Sequence, residues 1–473
     1  MGIKGLTKLI KKFSTNGIRN VKLSSYGGGI VLVDTSIFMY AYKQKFNNPL
    51  VGFVNQILTL TSNNITPIYI FDGAPPKEKN DLLIQRSNAK QNQNDKVDKL
   101  EEEINQLNSI HKYMRENDVS STDNIPLSSV DSISLSLLPS NKNVREYSTT
   151  IKSNILEIAL SVSDVEEKIS LIEKEMEQRK KNIINLTSQH FDDCKELFNK
   201  FGIPYITAEG EAEKLCSQLS HIDSIPLNII GCLSNDSDVL VNGGYKLLTN
   251  FSSYTGQVVE YDLKNILNDL QLSQDQFIDM CILCGCDYLF DHVENKHIKI
   301  GNIGPINAYK LIQTDKNIET IVKKIEFVKQ KKENNEKIDK ELKKYVKYIL
   351  PDDYENTFNY KYVRELFKEQ LSLNEVNDII NKNKLNKVDD IHSIISFIEK
   401  QYTPSLNIID KISNYYPEYQ NTILNMSNKE SLSSNNGGDR KSKGKKFIRV
   451  KKDKKSNKLL KGQKKITSFF FKK

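Results

Sequence analysis

Two short apolar runs that each end in an aspartate constrain this chain more than any other feature of it. Ile30-Val-Leu-Val-Asp34 and Pro67-Ile-Tyr-Ile-Phe-Asp72 carry consecutive apolar residues with no polar alternation. A strand that is apolar on both faces must be covered on both faces, as parallel strands in an α/β sheet are. Functional groups in such sheets gather at the carboxyl ends of the strands, where both runs put their Asp. Further strands are expected at 204–207, 227–233, 246–249 and 257–261. Helices are expected at 191–201 and from near Gly210-Glu211, and beyond the last of these strands the chain reads as mostly helical to about Tyr416. The fold class is therefore α/β, a mixed, mainly parallel sheet flanked by helices.

Residues 94–186 follow a different rule. Val97, Leu100, Ile104, Leu107 and Met114 recur at three- and four-residue spacing, with His111 in the same series. A second series runs Ile151, Ile155, Ile158, Val162, Val165, Ile169, Ile172, Met176, (Arg179), Ile183, Leu186. This is heptad patterning with Glu and Lys between the apolar positions. The stretch 117–143, rich in Ser, Asn, Asp and Pro, reads as a flexible tip. An antiparallel helical hairpin projecting from the sheet domain is expected. Pairing with another chain or packing on the body are the alternatives, because periodicity fixes the apolar face and leaves its partner open.

Charge is unevenly spread. Residues 440–473 hold sixteen Lys/Arg against one Asp, a net of +15, so a total of +8 leaves −7 for the rest. A basic tail on a mildly acidic body points to a polyanionic partner or a nuclear address. The run 440–461 reads as a nuclear signal, a DNA tether or a solubilising linker. No apolar run approaches the ~18–20 residues of a spanning helix, and the start has no signal-peptide core. The expectation is a protein that is neither secreted nor membrane-embedded. Six cysteines without a disulfide pattern fit a reducing compartment. Cys281-x-x-Cys284-x-Cys286 lacks the second pair that a structural zinc site needs, so buried thiols are expected.

Seven acidic residues stand out by position. Asp34 and Asp72 end strands, and Glu211 and Glu213 flank Ala212 at a helix start. Asp236 and Asp238 follow a strand, and Asp287 sits in Leu-Cys-Gly-Cys-Asp287-Tyr. Residues two apart on a helix do not face each other, so each close pair can share a site only in a first turn or a loop. Gathered together, these carboxylates would repel and hold protons unless hard divalent cations, Mg²⁺ or Mn²⁺, sat among them. Taken singly, each is also an ordinary helix cap or surface charge.

Ordered blocks connect the set. Met1-Gly-Ile-Lys-Gly-Leu, Val31-Leu-Val-Asp34-Thr-Ser, Ile70-Phe-Asp72-Gly-Ala-Pro-Pro, Gly210-Glu211-Ala-Glu213, Asn235-Asp236-Ser-Asp238 and Cys281-Ile-Leu-Cys-Gly-Cys-Asp287-Tyr resemble, in this order, the motifs of flap endonucleases of the XPG-like structure-specific 5′-nuclease family. The resemblance covers about 1–92 and 187–415, plus a short C-terminal motif. It implies a 5′-nuclease (PIN-like) fold and a structure-specific 5′-flap endonuclease with 5′–3′ exonuclease activity. Two Mg²⁺ ions (or Mn²⁺) would hydrolyse the phosphodiester near ss/ds junctions in lagging-strand maturation and repair. Another family specificity (nick exonuclease, gap or bubble cutter) and a non-catalytic DNA- and clamp-binding scaffold are the alternatives.

By the same resemblance, Asp34, Asp72, Glu211 and Glu213 would serve mainly one ion, and Asp236, Asp238 and Asp287 the other, with Glu213 near both. Lys79 and Arg86, seven apart and so on one helix face, match basic residues that hold the scissile phosphate. Gly2 would lie near the site, and Tyr40 matches a base-stacking aromatic, a core tyrosine being the alternative. Gly301-Asn-Ile-Gly304-Pro305, with Lys310 beyond it, resembles a helix–two-turn–helix that grips duplex phosphates beside a K⁺. Here Asn302 replaces a usual glycine, Ile306 and Asn307 stand where basic residues are usual, and 290–299 is extra. Gln463, Ile466, Phe469 and Phe470 fit the box that binds a PCNA-type sliding clamp. The resemblance further implies a monomer on branched DNA, in the nucleus or in a viral replication compartment if the gene is a large virus's. The expected domains are 1–92 (nuclease), 93–187 (enlarged helical arch), 188–290 (nuclease), 291–425 (helix–two-turn–helix and helical region) and 426–473 (basic tail).

Overall fold

In a computed structural model, residues 2–122, 125, 161–221, 228–291, 294–382, 389–403 and 408–413 are described. The heptad positions 151–158, most of the tip, and the basic tail with its clamp box lie outside them. Seven strands, β1 (Ile18–Lys22), β2 (Ile30–Asp34), β3 (Thr66–Phe71), β4 (Tyr205–Thr207), β5 (Ile229–Leu233), β6 (Lys246–Ser252) and β7 (Gln257–Asp262), form one sheet in the order β1-β7-β6-β5-β2-β3-β4. Pairings β2–β3, β2–β5, β3–β4 and β5–β6 are parallel; β6–β7 and β1–β7 are antiparallel.

The central strands are buried on both faces because successive residues feed different cores. Leu32, Ile70 and Cys232 join one apolar cluster, and Val31, Val33, Tyr69, Phe71 and Leu233 join the other. Helices α1 (Leu6–Phe13), α7 (Ala212–His221), α8 (Gln274–Cys284) and α9 (Pro305–Asp315) cover the first face. Helices α2 (Thr35–Phe46), α3 (Pro49–Ser62) and α6 (Ser188–Lys200) cover the second. On that side Phe198 stacks on Tyr69 at 4.0 Å between ring centroids, and Phe53 meets both rings edge-on.

Helix α4 (Asn80–Glu116) and helix α5 (Val162–Asn182) form the antiparallel hairpin. Ile104, Leu107, Ile110, Met114, Val165 and Ile172 close a core of their own between them. Lys180–Glu101, Lys168–Glu103 (3.2 Å) and Arg115–Glu166 (2.6 Å) pair across it. Exposed pairs of this kind contribute at most about 1 kcal/mol each, so the apolar seam carries the hairpin. The seam stops one turn before the heptads do. Ile183 is extended, because Thr187 and His190 form a capping box that starts α6 afresh and requires a linker before it.

The strand β1 carries no apolar run and so escapes sequence reading; among the described residues it is an edge strand paired with β7. Beyond α9 the chain continues through Ile318–Glu333 and Tyr360–Lys368. Arg364 ties the latter to the body, bonding Asp279 on α8 at 2.6 and 2.9 Å and Glu319 at 2.9 and 3.0 Å. Among the described residues no helix is long and apolar enough to cross a membrane. All six cysteines are buried free thiols.

Candidate active site

Strand order reverses between β2 and β5, since β3 lies beyond β2 on one flank and β6 beyond β5 on the other. Loops leaving such a switch point diverge and open a crevice at the carboxyl ends of the strands. Asp34 ends β2 there and caps α2. Ser234, just past β5, donates its hydroxyl to Asp34 at 2.7 Å and accepts the Asp236 amide at 3.0 Å. Asp236 accepts the Asp238 amide at 2.9 Å, and Asp238 accepts the Ile3 amide at 3.0 Å. One chain of hydrogen bonds thus joins β2, the 234–238 turn and the start of the protein. Gly2 fits only as glycine: its φ is +86°, and a Cβ there would stand 2.2 Å from Asp236 Oδ1.

The second half of the site hangs from β3. Asp72 accepts the Ala212 amide at 2.8 Å, which anchors the first turn of α7 and the two glutamates beside it. Glu211 lies in the entry loop and Glu213 in the first turn, so both reach the crevice. Lys79, buried at the foot of the hairpin, bonds Glu211 and stands 3.7 Å from Glu213, with its ammonium 4.9 Å from the centre of the Tyr288 ring. The Tyr288 hydroxyl donates to Glu211 at 2.7 Å. Arg86, two turns along α4, reaches Asp287 at 3.1 Å.

Crowding shows in the electrostatics. Burial pushes the Asp34 carboxyl up to about 7, with Asp72 and Asp236 adding to the rise and the Ser234 hydrogen bond opposing it. Glu213 and Asp238 are raised well above the carboxylate range by burial first and then by Glu211 and Asp236 respectively; Asp236 is raised by burial as well. Burial would lower Lys79, but Glu211, Glu213 and Asp238 outweigh it and hold the ammonium charged. Among the described residues no three acidic, cysteine or histidine side chains already close around one point, and Lys79 stands at Glu211 and Glu213. The donors are oxygen-only, mutually repulsive and at a crevice. That set fits hard divalent cations and no soft ones.

The remaining expected residues are scattered. Tyr40 is 44 % exposed, so it is no core residue. The Gly301 amide is bonded to the Ile349 carbonyl at 2.6 Å in an isolated antiparallel bridge, so that amide is already engaged within the chain. Asn302 holds the left-handed conformation (φ 64°) that a glycine would otherwise supply, and bonds the Lys347 carbonyl at 2.7 Å. Gly304 is the N-cap of α9, and Lys310 lies exposed on that helix. Gln463, Ile466, Phe469 and Phe470 lie outside the described residues. Sequence reading missed Ser234, Tyr288 and Lys299. Ser234 and Tyr288 each adjoin a motif already noted, and that adjacency was the available signal. Lys299 had none, because its partners are backbone carbonyls.

Residues 1–93 match the family model of the XPG N-terminal domain, and residues 202–287 that of the XPG I-region. Flap endonuclease 1-A of Sorghum bicolor is 26% identical over 388 residues, 78% of this chain and 75% of that one. Flap endonuclease 1 of Homo sapiens is 26% identical over 343 residues, 69% and 70% of the two chains. The fold matches the catalytic core of Rad2 in complex with DNA substrate at a TM-score of 0.54 and 21% identity, over 88% of this chain and 100% of that one. The two matched blocks carry all seven carboxylates and both arch-foot cations. The chain thus carries both nuclease blocks of the XPG family and is similar to flap endonucleases over most of its length.

Proposed function

We propose that the protein is a Mg²⁺-dependent, structure-specific 5′-flap endonuclease with 5′–3′ exonuclease activity, acting on branched DNA near ss/ds junctions in lagging-strand maturation and repair. The observation that carries this reading is the chain of hydrogen bonds from Asp34 through Ser234 to Asp236 and Asp238, with Asp72 anchoring the turn of Glu211 and Glu213, and Lys79 and Arg86 of the hairpin foot reaching Glu211 and Asp287. Divalent ions held there would activate water and offset charge on the attacking and leaving oxygens. Lys79 and Arg86 enter the same crevice from the hairpin side, where their cations can hold and orient the scissile phosphate. Gly2 closes the floor against Asp236 and Asp238. Tyr40, exposed on the helix that Asp34 caps, is positioned to stack on a base. Helix α9, with Gly304 at its N-cap and Lys310 exposed, is suited to receive the duplex backbone.

A 5′-labelled double flap, a nicked duplex and a bubble, each with Mg²⁺ and with EDTA, test the reading. Mg²⁺-dependent release of the intact flap supports it. Cutting confined to the nick or the bubble keeps the nuclease and changes its substrate. Binding without cutting in all three leaves a scaffold.

Raised carboxyl pKa values make the metal response depend on pH. A carboxyl that titrates higher in the folded state keeps a proton the unfolded chain has lost, so these groups contribute less stability as pH rises from the ordinary carboxylate range toward about 7. A cation binds only after those protons leave. The rise in thermal midpoint that Mg²⁺ produces over EDTA is therefore expected to grow between about pH 5 and about pH 7.5. A rise that is constant across that range contradicts the assignment of these carboxylates as ligands.

The tail supplies a partner and an address. The spacing of Ile466, Phe469 and Phe470 within a basic sequence suits a pocket on a sliding clamp, and the lysines around them suit nuclear import. Phe469→Ala with Phe470→Ala is expected to remove stimulation of cleavage by the clamp while leaving cleavage of free flaps unchanged. An undiminished response to the clamp would make the box a chance match.

A further inference from the structure

The extra residues between Asp287 and the Gly301–Pro305 turn build a small device. After α8 the chain makes a two-strand ribbon, Phe290–Asp291 against Lys296–His297, and Ile298 bonds back to the Leu289 carbonyl at 2.9 Å. This return brings Lys299 under the turn. Its ammonium donates to the Cys284 carbonyl at 3.2 Å and to the Ile303 carbonyl at 3.3 Å. Cys284 is the last residue of α8, where carbonyls have no partner within the helix and the dipole is negative. Ile303 immediately precedes the N-cap of α9. His297 sits in the same way, its Nδ1 3.1 Å from the Cys286 carbonyl. A Cβ on Gly285 would meet the Lys299 stem at 3.4 Å, so the side chain runs along the α8 C-terminus.

Two backbone carbonyls from opposite sides of a turn, converging on one positive centre, are the coordination that a bound monovalent cation provides. Here the positive centre is covalently attached. A second cation about 4 Å from the ammonium would meet a repulsion of roughly 1–4 kcal/mol, so the turn has no favourable place for a free one. The first turn of α9 carries no acidic residue, and Ile306 and Asn307 bring no charge to it. Lys299 thus brings a cation to that helix end through its bond to the Ile303 carbonyl, and among the described residues its third N–H has no protein acceptor.

We propose that Lys299 is the resident cation of this turn: it joins the end of α8 to the start of α9 and lets the duplex backbone dock there without K⁺. The inference rests on the duplex-binding reading above and makes Lys299 a positioning residue.

The test uses the full chain and a labelled flap duplex in EDTA, with affinity read by fluorescence anisotropy in KCl and in choline chloride of equal concentration. Wild type is expected to bind equally in the two salts, within about twofold, because counterion release depends on salt concentration and both salts are monovalent. Lys299→Ser is expected to bind about tenfold more weakly in choline chloride, the size of a charged hydrogen bond, and to regain most of that in KCl. Its thermal midpoint should likewise rise with K⁺. A wild type that binds but loses affinity severalfold without K⁺ overturns the proposal, and this arm needs no variant to fold. A Lys299→Ser protein that equals wild type in both salts overturns it too. Wild type that fails to bind in either salt sinks the duplex-binding reading itself, and this inference with it.

Discussion

Asp236→Ala is expected to lower flap cleavage by on the order of 10³-fold or more while leaving flap binding near wild type, because under the proposed function it removes a ligand from the centre that would offset transition-state charge. Binding of an anionic flap does not need the aspartate, whose own charge opposes it. Asp236 also organises its turn, accepting the Asp238 amide at 2.9 Å. Asp236→Asn separates the two roles, since an amide oxygen can keep that bond while the charge is lost. In EDTA the Asn variant is expected to melt above wild type, because it relieves repulsion in a buried group in which Asp34, Glu213, Asp236 and Asp238 are raised. Cleavage by either variant at the wild-type rate would sink the metal-ligand assignment. Lost cleavage together with lost binding would point to collapse of the turn.

Lys79→Ala is the second large effect. Its ammonium lies buried beside Glu211 and Glu213 and over the Tyr288 ring. Removing a preorganised donor from a transition-state oxygen lowers kcat by about 10²–10³-fold, with little change in KM. The same substitution leaves two largely buried glutamates without their cation, which costs up to about 3–5 kcal/mol. Thermal midpoints in EDTA should therefore fall, and Mg²⁺ should recover most of the loss by supplying the missing charge. Arg86→Ala is expected to act more weakly in both readouts, since Arg86 is half exposed and its bond to Asp287 is single. A Lys79→Ala enzyme with unchanged kcat would return this residue to a structural role.

The hairpin above the site shows how far pattern reading reaches. The heptads of α4 and α5 fix which residues face inward, and Ile104, Leu107, Val165 and Ile172 do so. Choosing the intramolecular partner over another chain took the structure, because an apolar stripe is complementary to any similar stripe. The end of the second heptad series was likewise decided by competition, at Thr187, where a capping box outcompeted one more turn of seam. Edge strand β1 was illegible because one-sided strands of mixed residues look like loops.

What the sequence determined alone is the set of acidic residues and their places at strand and helix ends. Apolar runs bounded by Asp can hardly be anything but covered parallel strands, and a pair two residues apart can converge only in a turn. Only the tertiary structure decided that Ser234 links Asp34 to Asp236, that Tyr288 and Lys79 share Glu211, and that Lys299 ends on two carbonyls. These contacts join residues from 2 to 200 positions apart, and several end on backbone atoms that every residue carries. Local periodicity encodes which face of an element is apolar. It holds no information about which distant polar atoms the packed elements bring within reach, and the site is made of those.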